Sequence, residues 1–197
     1  MKTSMKKQND VVFLEGKRLY LRPACRADIP LFVKWANDPD VRALSSDRYL
    51  PVDEIQGDEW LTSLHKKNDK MSLVICLNNT RAIGLMGIHS IDWKNRLAMT
   101  YAIIGEKQFW SKGYGSEAQM ILLHYGFDSL NLRKIHAVVF GFNERSQAYN
   151  EKCGYSVEGV QRQHVFMNGE YHDLILMAVF REEWLPIWNK FLKTGRV

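Results

Sequence analysis

The sequence has few cysteines. Cys25, Cys76 and Cys153 are its only three. They are widely spaced and form no CxxC pair, which argues against a disulfide framework and against a structural zinc site. Cys76 sits in an apolar run, residues 72–77, and reads as a buried thiol. Cys153 lies near a helix end and also reads as packing. No apolar run reaches the roughly 18 residues that a membrane span needs. The opening residues, Met1 to Asp10, are polar and lysine-bearing and lack the apolar stretch of a secretory signal. They read as a loose tail ahead of a single domain over residues 11–197, in a cytoplasmic protein. No internal repeat or low-complexity block occurs. Lys and Arg outnumber Asp and Glu by 27 to 22, a formal net charge of +5. That balance suits an anionic ligand. The charges are scattered, with no dense basic stripe interleaved with aromatics, which argues against a nucleic-acid partner.

What remains is an ordinary globular composition, 46% hydrophobic and 25% charged over 197 residues. Leu19 to Arg22 alternates apolar and polar residues and predicts a first strand, ended by Pro23. Asp28 can cap a helix with Pro30 in its first turn. Asn37-Asp38-Pro39 stops it. A second helix is expected over residues 53–66. Three strand-like stretches follow, residues 72–77, 82–91 and 97–104, with short turns between them, so they read as an antiparallel meander. A helix starting near Ser116 has Ala118, Ile121, Leu122 and Tyr125 at helical spacing. Residues 134–140 form a further strand, and strand, helix and strand in that order make a right-handed crossover to a parallel pair. A helix over residues 144–152 stops at Gly154. Two strands then meet at an Asn168-Gly169 turn, and a short helix over residues 184–192 closes the chain. The sum is a mixed sheet with helices on both faces, in α/β layers.

The segment Trp110-Ser111-Lys112-Gly113-Tyr114-Gly115-Ser116-Glu117-Ala118 lies between a strand and a helix. Gly113 and Gly115 let the backbone approach a ligand closely. The helix N-terminus aims free amides and a positive dipole end at the same loop. Lys112 adds charge and Ser116 a hydroxyl. This is no P-loop, because Gly-Lys-Ser/Thr is absent, and no dinucleotide GxGxxG, because residue 118 is Ala. On its own the loop fits a pyrophosphate site and a structural turn equally well. A second cluster, Phe140-Gly141-Phe142-Asn143 and then Glu144 to Tyr155, ends another strand and opens another helix. Asn143 can cap that helix, and Ser146, Tyr149 and Asn150 share a face. The crossover would bring both helix N-termini to one end of the sheet, where open α/β sheets bind ligands.

These segments together resemble the GNAT superfamily of acetyl-CoA-dependent N-acetyltransferases. Within it the chain is similar to the branch holding ribosomal-protein N-terminal acetyltransferases and spermidine N-acetyltransferases. The similarity runs from about Leu14 to Trp184. It includes Leu19-Tyr20-Leu21-Arg22-Pro23, Trp35-Ala36-Asn37-Asp38 and Phe166-Met167-Asn168-Gly169-Glu170-Tyr171-His172-Asp173. The resemblance implies a GNAT-like acyl-CoA N-acyltransferase fold with a central, mostly antiparallel sheet. It implies acetyl-CoA as co-substrate, with no metal. Backbone groups of Ala102, Ile103 and Ile104 would pair with the pantetheine arm. Amides from Lys112, Gly113, Tyr114, Gly115 and Ser116 would hold the pyrophosphate. Asn143, Ser146, Asn150 and Lys152 would line the far side of the coenzyme.

Three positions depart from the family pattern. Trp110 stands where Gln or Arg is common. Met99 replaces a frequent glutamate. Asn150 occupies the place of a tyrosine that protonates the leaving thiolate. Tyr149 is one residue earlier, about 100° round the helix, and Ser146 is one turn earlier; both are candidate proton donors. An attacking amine must be neutral, so an alkyl amine with a pKa near 10.4 needs a base, whereas an α-amine near 8 needs little help. Candidate bases are Glu106, which also reads as a solvated loop charge, and His89, Asp92, His164, His172 and Asp173. A strand amide near Ile103 is a candidate oxyanion donor.

The acceptor reads as a protein N-terminus, a polyamine or an amino sugar. Asp47, Asp53, Glu54, Asp58 and Glu59 suit a polyamine, while Lys34, Arg42 and Arg48 oppose it. Trp35, Trp60, Trp93 and Trp110 either frame an acceptor pocket or belong to the core. A non-catalytic acyl-CoA sensor is the alternative function. The terminal helix, with Trp184, Trp188, Phe191 and Leu192 on one side, serves either a homodimer or its own domain.

Overall fold

A computed structural model describes residues 11–45, 50–195 and 197. The tail over residues 1–10 and the charges Asp47 and Arg48 lie outside them. In chain order the elements are β1 (Leu14–Glu15), β2 (Leu19–Pro23), α1 (Ile29–Asn37), α2 (Pro39–Ser45) and α3 (Glu54–Ser63). Next come β3 (Met71–Leu77), β4 (Ala82–Asp92), β5 (Leu97–Ile104), α4 (Tyr114–His124) and β6 (Lys134–Phe140). The chain closes with α5 (Glu144–Lys152), β7 (Ser156–Met167), β8 (Glu170–Phe180) and α6 (Arg181–Thr194). The strands form one sheet in the order β1-β2-β3-β4-β5-β6-β8-β7. Only β5 and β6 run parallel; the other neighbours are antiparallel.

One face buries α4 and α6 against the sheet. Leu122, Leu123 and Trp184 are fully buried there with Ile75, Ile88 and Val179. A smaller cluster, Tyr20, Val74 and Cys76 with Phe32 packed on it, covers the opposite face beneath α1. The alternation of strand side chains gives each face its own apolar set. Cys76 and Cys153 are buried and Cys25 is exposed, all as free thiols.

Several helix ends differ from the sequence expectation. Asp28 does not cap α1 with its side chain. Its carboxylate takes two bonds from Arg22, at 2.8 and 2.7 Å, and the Cys25 amide at 2.9 Å. Pro39 ends one helix and opens another. Asp38 Oδ1 accepts the amides of Asp40 and Val41, so it caps α2, and proline is well suited to a first helical turn. At α3, Asp53 and Gln56 form a reciprocal capping box at 2.9 and 3.0 Å. Helix α6 is longer than expected and carries Pro186 inside it. Its Trp184, Trp188 and Phe191 are buried in the chain's own core, and Leu192 is 53% exposed.

Candidate active site

The sheet opens at its one parallel pair. Register between β5 and β6 holds for Leu97–Lys134, Ala98–Ile135 and Met99–His136, and stops there. Beyond it the two strands diverge into a wedge. The Ile103 carbonyl turns the other way, toward β4: a methyl placed on Gly84 would fall 2.2 Å from it. Backbone groups alternate sides along a strand, so Ala102 and Ile104, and not Ile103, present amide and carbonyl to the wedge. The expected strand amide near Ile103 is therefore offered by its neighbours, Ala102 and Ile104.

Two cavities fill the wedge. The smaller, about 310 Å³, lies between the end of β5, the glycine-bearing loop and the start of α5. The larger, about 770 Å³, runs under α1 and α3 across β3, β4 and β5 to β6. They share Ala102, Ile103, Asn143, Ser146 and Tyr149 as a common wall.

The loop that borders the smaller cavity is strained where glycine permits it. Gly113 has φ 78° and caps α4, a left-handed conformation that costs a side-chain-bearing residue about 1 kcal/mol or more. The first helical bond of α4 is Glu117 N–H to the Gly113 carbonyl, at 3.1 Å. The amides of Tyr114, Gly115 and Ser116 therefore have no helical acceptor and stand at the positive end of the helix. Helix α4 begins at Tyr114, two residues before the expected Ser116. Trp110 closes the loop onto β5: its indole N–H donates to the Ile104 carbonyl at 2.6 Å. The Arg145 guanidinium lies 4.2 Å above its ring. One acceptor on the wedge edge is thus already occupied by Trp110.

The far wall comes from α5. Asn143 caps it, its Oδ1 accepting the Ser146 amide at 3.1 Å, while its Nδ2 donates to the Leu44 carbonyl at 3.0 Å and ties α2 to the site. Asn150 is buried and donates to the Ser146 carbonyl at 2.8 Å. The Tyr149 hydroxyl donates to Gln119 Oε1 at 2.7 Å. Gln119 in turn donates to Tyr155 at 2.7 Å and to Thr100 at 3.1 Å. Burial raises the Tyr149 phenol well above its ordinary range and raises that of Tyr155 too, so both stay neutral donors.

Of the expected coenzyme residues, Ala102, Ile103, Ile104, Gly113, Tyr114, Gly115, Ser116, Asn143, Ser146 and Lys152 line the smaller cavity. Asn150 lines only the larger one, and Lys112 lines neither. The Lys112 carbonyl is held by Arg18 at 3.0 Å, and its ammonium lies 5.8 Å above the Phe109 ring.

Glu106 is not placed as a base. Its carboxylate accepts from Lys34 at 2.5 Å, Trp35 at 3.0 Å and Arg81 at 3.3 Å. The Lys34 and Trp35 bonds lead in pushing its pKa down to about 2, and it lines neither cavity. Asp92 accepts the Asn95 amide in its own turn, and Asp173 accepts the Gln163 amide from the neighbouring strand β7. His172 packs on Phe142, with ring centroids 4.8 Å apart. His89 and His164 do line the larger cavity. Of the four tryptophans, Trp35 and Trp60 line it too, Trp110 lines the smaller one, and Trp93 is 52% exposed.

Two features went unseen in the sequence: the Gln119 network and the buried Glu117 carboxylate, which accepts from the Arg18 guanidinium and from the amides of Lys17 and Arg18. Residues 117–123 of α4 are all buried. A helix buried on every side must bond its polar residues, and that was the available signal.

The family description "Acetyltransferase (GNAT) domain" matches residues 18–156. The chain belongs to the GNAT acetyltransferase family. An uncharacterized N-acetyltransferase of Bacillus subtilis (strain 168), YoaA, is 31% identical over 172 residues, 85% of this chain and 96% of that one. The spermidine N(1)-acetyltransferase of Escherichia coli (strain K12) is 29% identical over 166 residues, 84% and 87% of the two chains. The crystal structure of spermidine N-acetyltransferase from Vibrio cholerae in complex with CoA and spermine superposes with a TM-score of 0.80. It is 24% identical and covers 85% of this chain and 98% of that one, a likeness of fold. This acetyltransferase is an acetyl-CoA-dependent enzyme with the mixed, mostly antiparallel sheet of its family. Among its described residues no group of three or more His, Cys, Asp or Glu is placed to hold a metal ion. Among the described residues no helix is long and apolar enough to cross a membrane.

Proposed function

We propose that this acetyltransferase moves the acetyl group of acetyl-CoA onto a primary amine by direct attack, with the coenzyme in the smaller cavity and the amine in the larger. The observation that carries the reading is the shared wall. Ala102, Ser146 and Tyr149 border both cavities, so a thioester placed there is reached from the acceptor side without a covalent enzyme intermediate.

The pyrophosphate is read at the free amides of Tyr114, Gly115 and Ser116, where the helix end favours anions. The pantetheine arm is read along the wedge edge of β5, with Ala102 as its main backbone partner. As the carbonyl oxygen gains charge, the Ala102 or Ile104 amide donates to it. The departing thiolate takes a proton from Tyr149 or Ser146, hydroxyls on α5 that border both cavities, and the nitrogen of the attacking amine gives up one proton to solvent in return. Ser146 Oγ has no protein partner among the described residues, so it is free to turn toward a ligand. The spermidine acetyltransferases among the relatives support an amine acceptor.

The test is thiol release from acetyl-CoA against peptides with free N-termini, amino sugars and spermidine, with Gly113→Trp as the control. Release that depends on the amine and is lost in the control supports the reading. Tight coenzyme binding with no release on any amine supports a sensor instead.

A further inference from the structure

Resting on that reading of the larger cavity, we infer that the acceptor is an amine that also carries an anionic group, and that Lys70 and Arg42 select it. Two basic side chains, Arg42 and Lys70, line the cavity, with His89 and His164; among the described residues no Asp or Glu does. The Arg42 guanidinium has no side-chain partner among the described residues. Lys70 donates to a neutral acceptor, Ser63 Oγ, at 3.0 Å. The acidic residues close in sequence are engaged elsewhere or turned away. Asp53 caps α3, Asp58 pairs with Arg26 at 2.9 Å, and Asp69, Glu54 and Glu59 do not line the cavity. The two charges outside the described residues, Asp47 and Arg48, are of opposite sign.

A polyamine needs carboxylates around its second and third ammonium groups, and this cavity offers cations in their place. Like charges a few ångströms apart in a partly desolvated site cost at least about tenfold in binding. A carboxylate or phosphate on the acceptor reverses that sign. The floor beside Lys70 suits an anion in a second way. Ser72 Oγ and the Tyr101 hydroxyl lie 2.5 Å apart on the same wall, one donating to the other, which leaves one neutral O–H for a ligand. Tyr101 is kept protonated because burial pushes its pKa up to about 12. His89 stands over Tyr101, with ring centroids 6.0 Å apart, and burial, with the Lys70 charge adding to it, lowers its pKa. The same field acts on the reacting amine. A nearby cation favours the neutral form of an amine, and this replaces part of what a carboxylate base would do.

The experiment uses matched acceptors on the full chain. Aspartate is paired with its diamide, glucosamine 6-phosphate with glucosamine, and spermidine stands alone. Two quantities are read: kcat/KM for thiol release, and affinity of each amine for the CoA complex by calorimetry. The expected result is at least about a tenfold preference for the anionic member of one pair, with spermidine poorest. Which pair responds tells carboxylate from phosphate. Lys70→Glu and Arg42→Glu should each shift the preference toward spermidine; Lys70→Gln and Arg42→Gln, milder in folding, should abolish the anionic preference. Release favouring spermidine or the neutral members overturns the inference and leaves acetyl transfer standing. Anionic preference in calorimetry with no release on any amine keeps the inference and overturns acetyl transfer.

Discussion

Arg18 Nε stands 2.6 Å from Glu117 Oε2, and the same arginine donates to the Lys112 carbonyl at 3.0 Å. Glu117 also accepts the amides of Lys17 and Arg18, at 2.9 and 2.8 Å, and is 2% exposed. The Arg18 guanidinium lies 4.6 Å above the Tyr114 ring. The turn between β1 and β2 is thereby bolted to the loop that opens α4. Glu117→Ala leaves two backbone amides and a half-exposed guanidinium without their acceptor, and is expected to cost roughly 2 kcal/mol after solvent screening of Arg18. The loop it releases holds the coenzyme amides, so KM for acetyl-CoA should rise more than kcat falls. Thermal unfolding and coenzyme titration measure the two effects. An unchanged coenzyme affinity in a folded variant would confine the brace to stability.

Glu106 gives a pH signature. Its carboxyl is held down to about 2 from the ordinary 4.5, chiefly by the Lys34 bond. A depressed carboxyl stabilises the fold fully above its unfolded pKa and loses that contribution as pH falls through the folded value. Wild type and Glu106→Gln should therefore differ by about 1 kcal/mol at pH 7, discounted for the exposed Lys34 and Arg81 partners. The difference should shrink between pH 4.5 and 2. Denaturant unfolding at a series of pH values checks this, and a constant difference would contradict it. The pH profile of acetyl transfer near neutrality should not change, because Glu106 lines neither cavity.

Much of this was legible in the sequence, for definable reasons. Strands β5 and β6 carry clear apolar runs that stop before Gly105 and Gly141, and the polar helix α5 is bracketed by Asn143 and Gly154, so their limits could be read directly. Gly113, Ser116, Asn143 and Ser146 came together because a right-handed crossover leaves both helix N-termini at one end of the sheet. Pro39 misled, since proline both stops a helix and starts the next. Pro186 lies inside α6, whose buried tryptophans outweigh the lost backbone bond. The pairings of Gln119 with Tyr149 and Tyr155 span 30 and 36 residues, and no local pattern encodes them. Glu106 illustrates the same limit: an acid next to a strand end cannot be told from a base until Lys34, 72 residues away, is placed beside it.

Trp110 offers a separable test of the wedge edge. Its indole N–H occupies the Ile104 carbonyl, and its ring carries Arg145. Trp110→Phe keeps a ring for the cation and removes the donor, at a cost of about 1 kcal/mol. Trp110→Ala removes both and should raise KM for acetyl-CoA by roughly tenfold, since Arg145 loses about 1–2 kcal/mol of cation–π support beside the coenzyme cavity. Kinetics at saturating amine read the difference between the two variants. Equal effects would mean that the donor, and not the ring, is what matters.

Tyr149 and Ser146 can be told apart as proton sources. Tyr149→Phe deletes the hydroxyl and leaves the ring against Gly115, where a methyl would lie 3.5 Å from it. The variant also strands Gln119 Oε1, so some loss of stability, about 1 kcal/mol, is expected alongside any kinetic effect. If the phenol protonates the thiolate, kcat should fall by about a hundredfold or more with KM for acetyl-CoA nearly unchanged. Ser146→Ala should then be mild, because its backbone amide still caps α5 through Asn143. The reverse ranking assigns the step to Ser146. Because burial holds the Tyr149 phenol far above neutrality, its deletion should leave no new ionisation between pH 6 and 9. A faster reaction with a poorer leaving thiolate in one variant would count against the hydroxyl it lacks, because removing a general acid makes the rate more sensitive to the leaving group, with better leaving groups favoured.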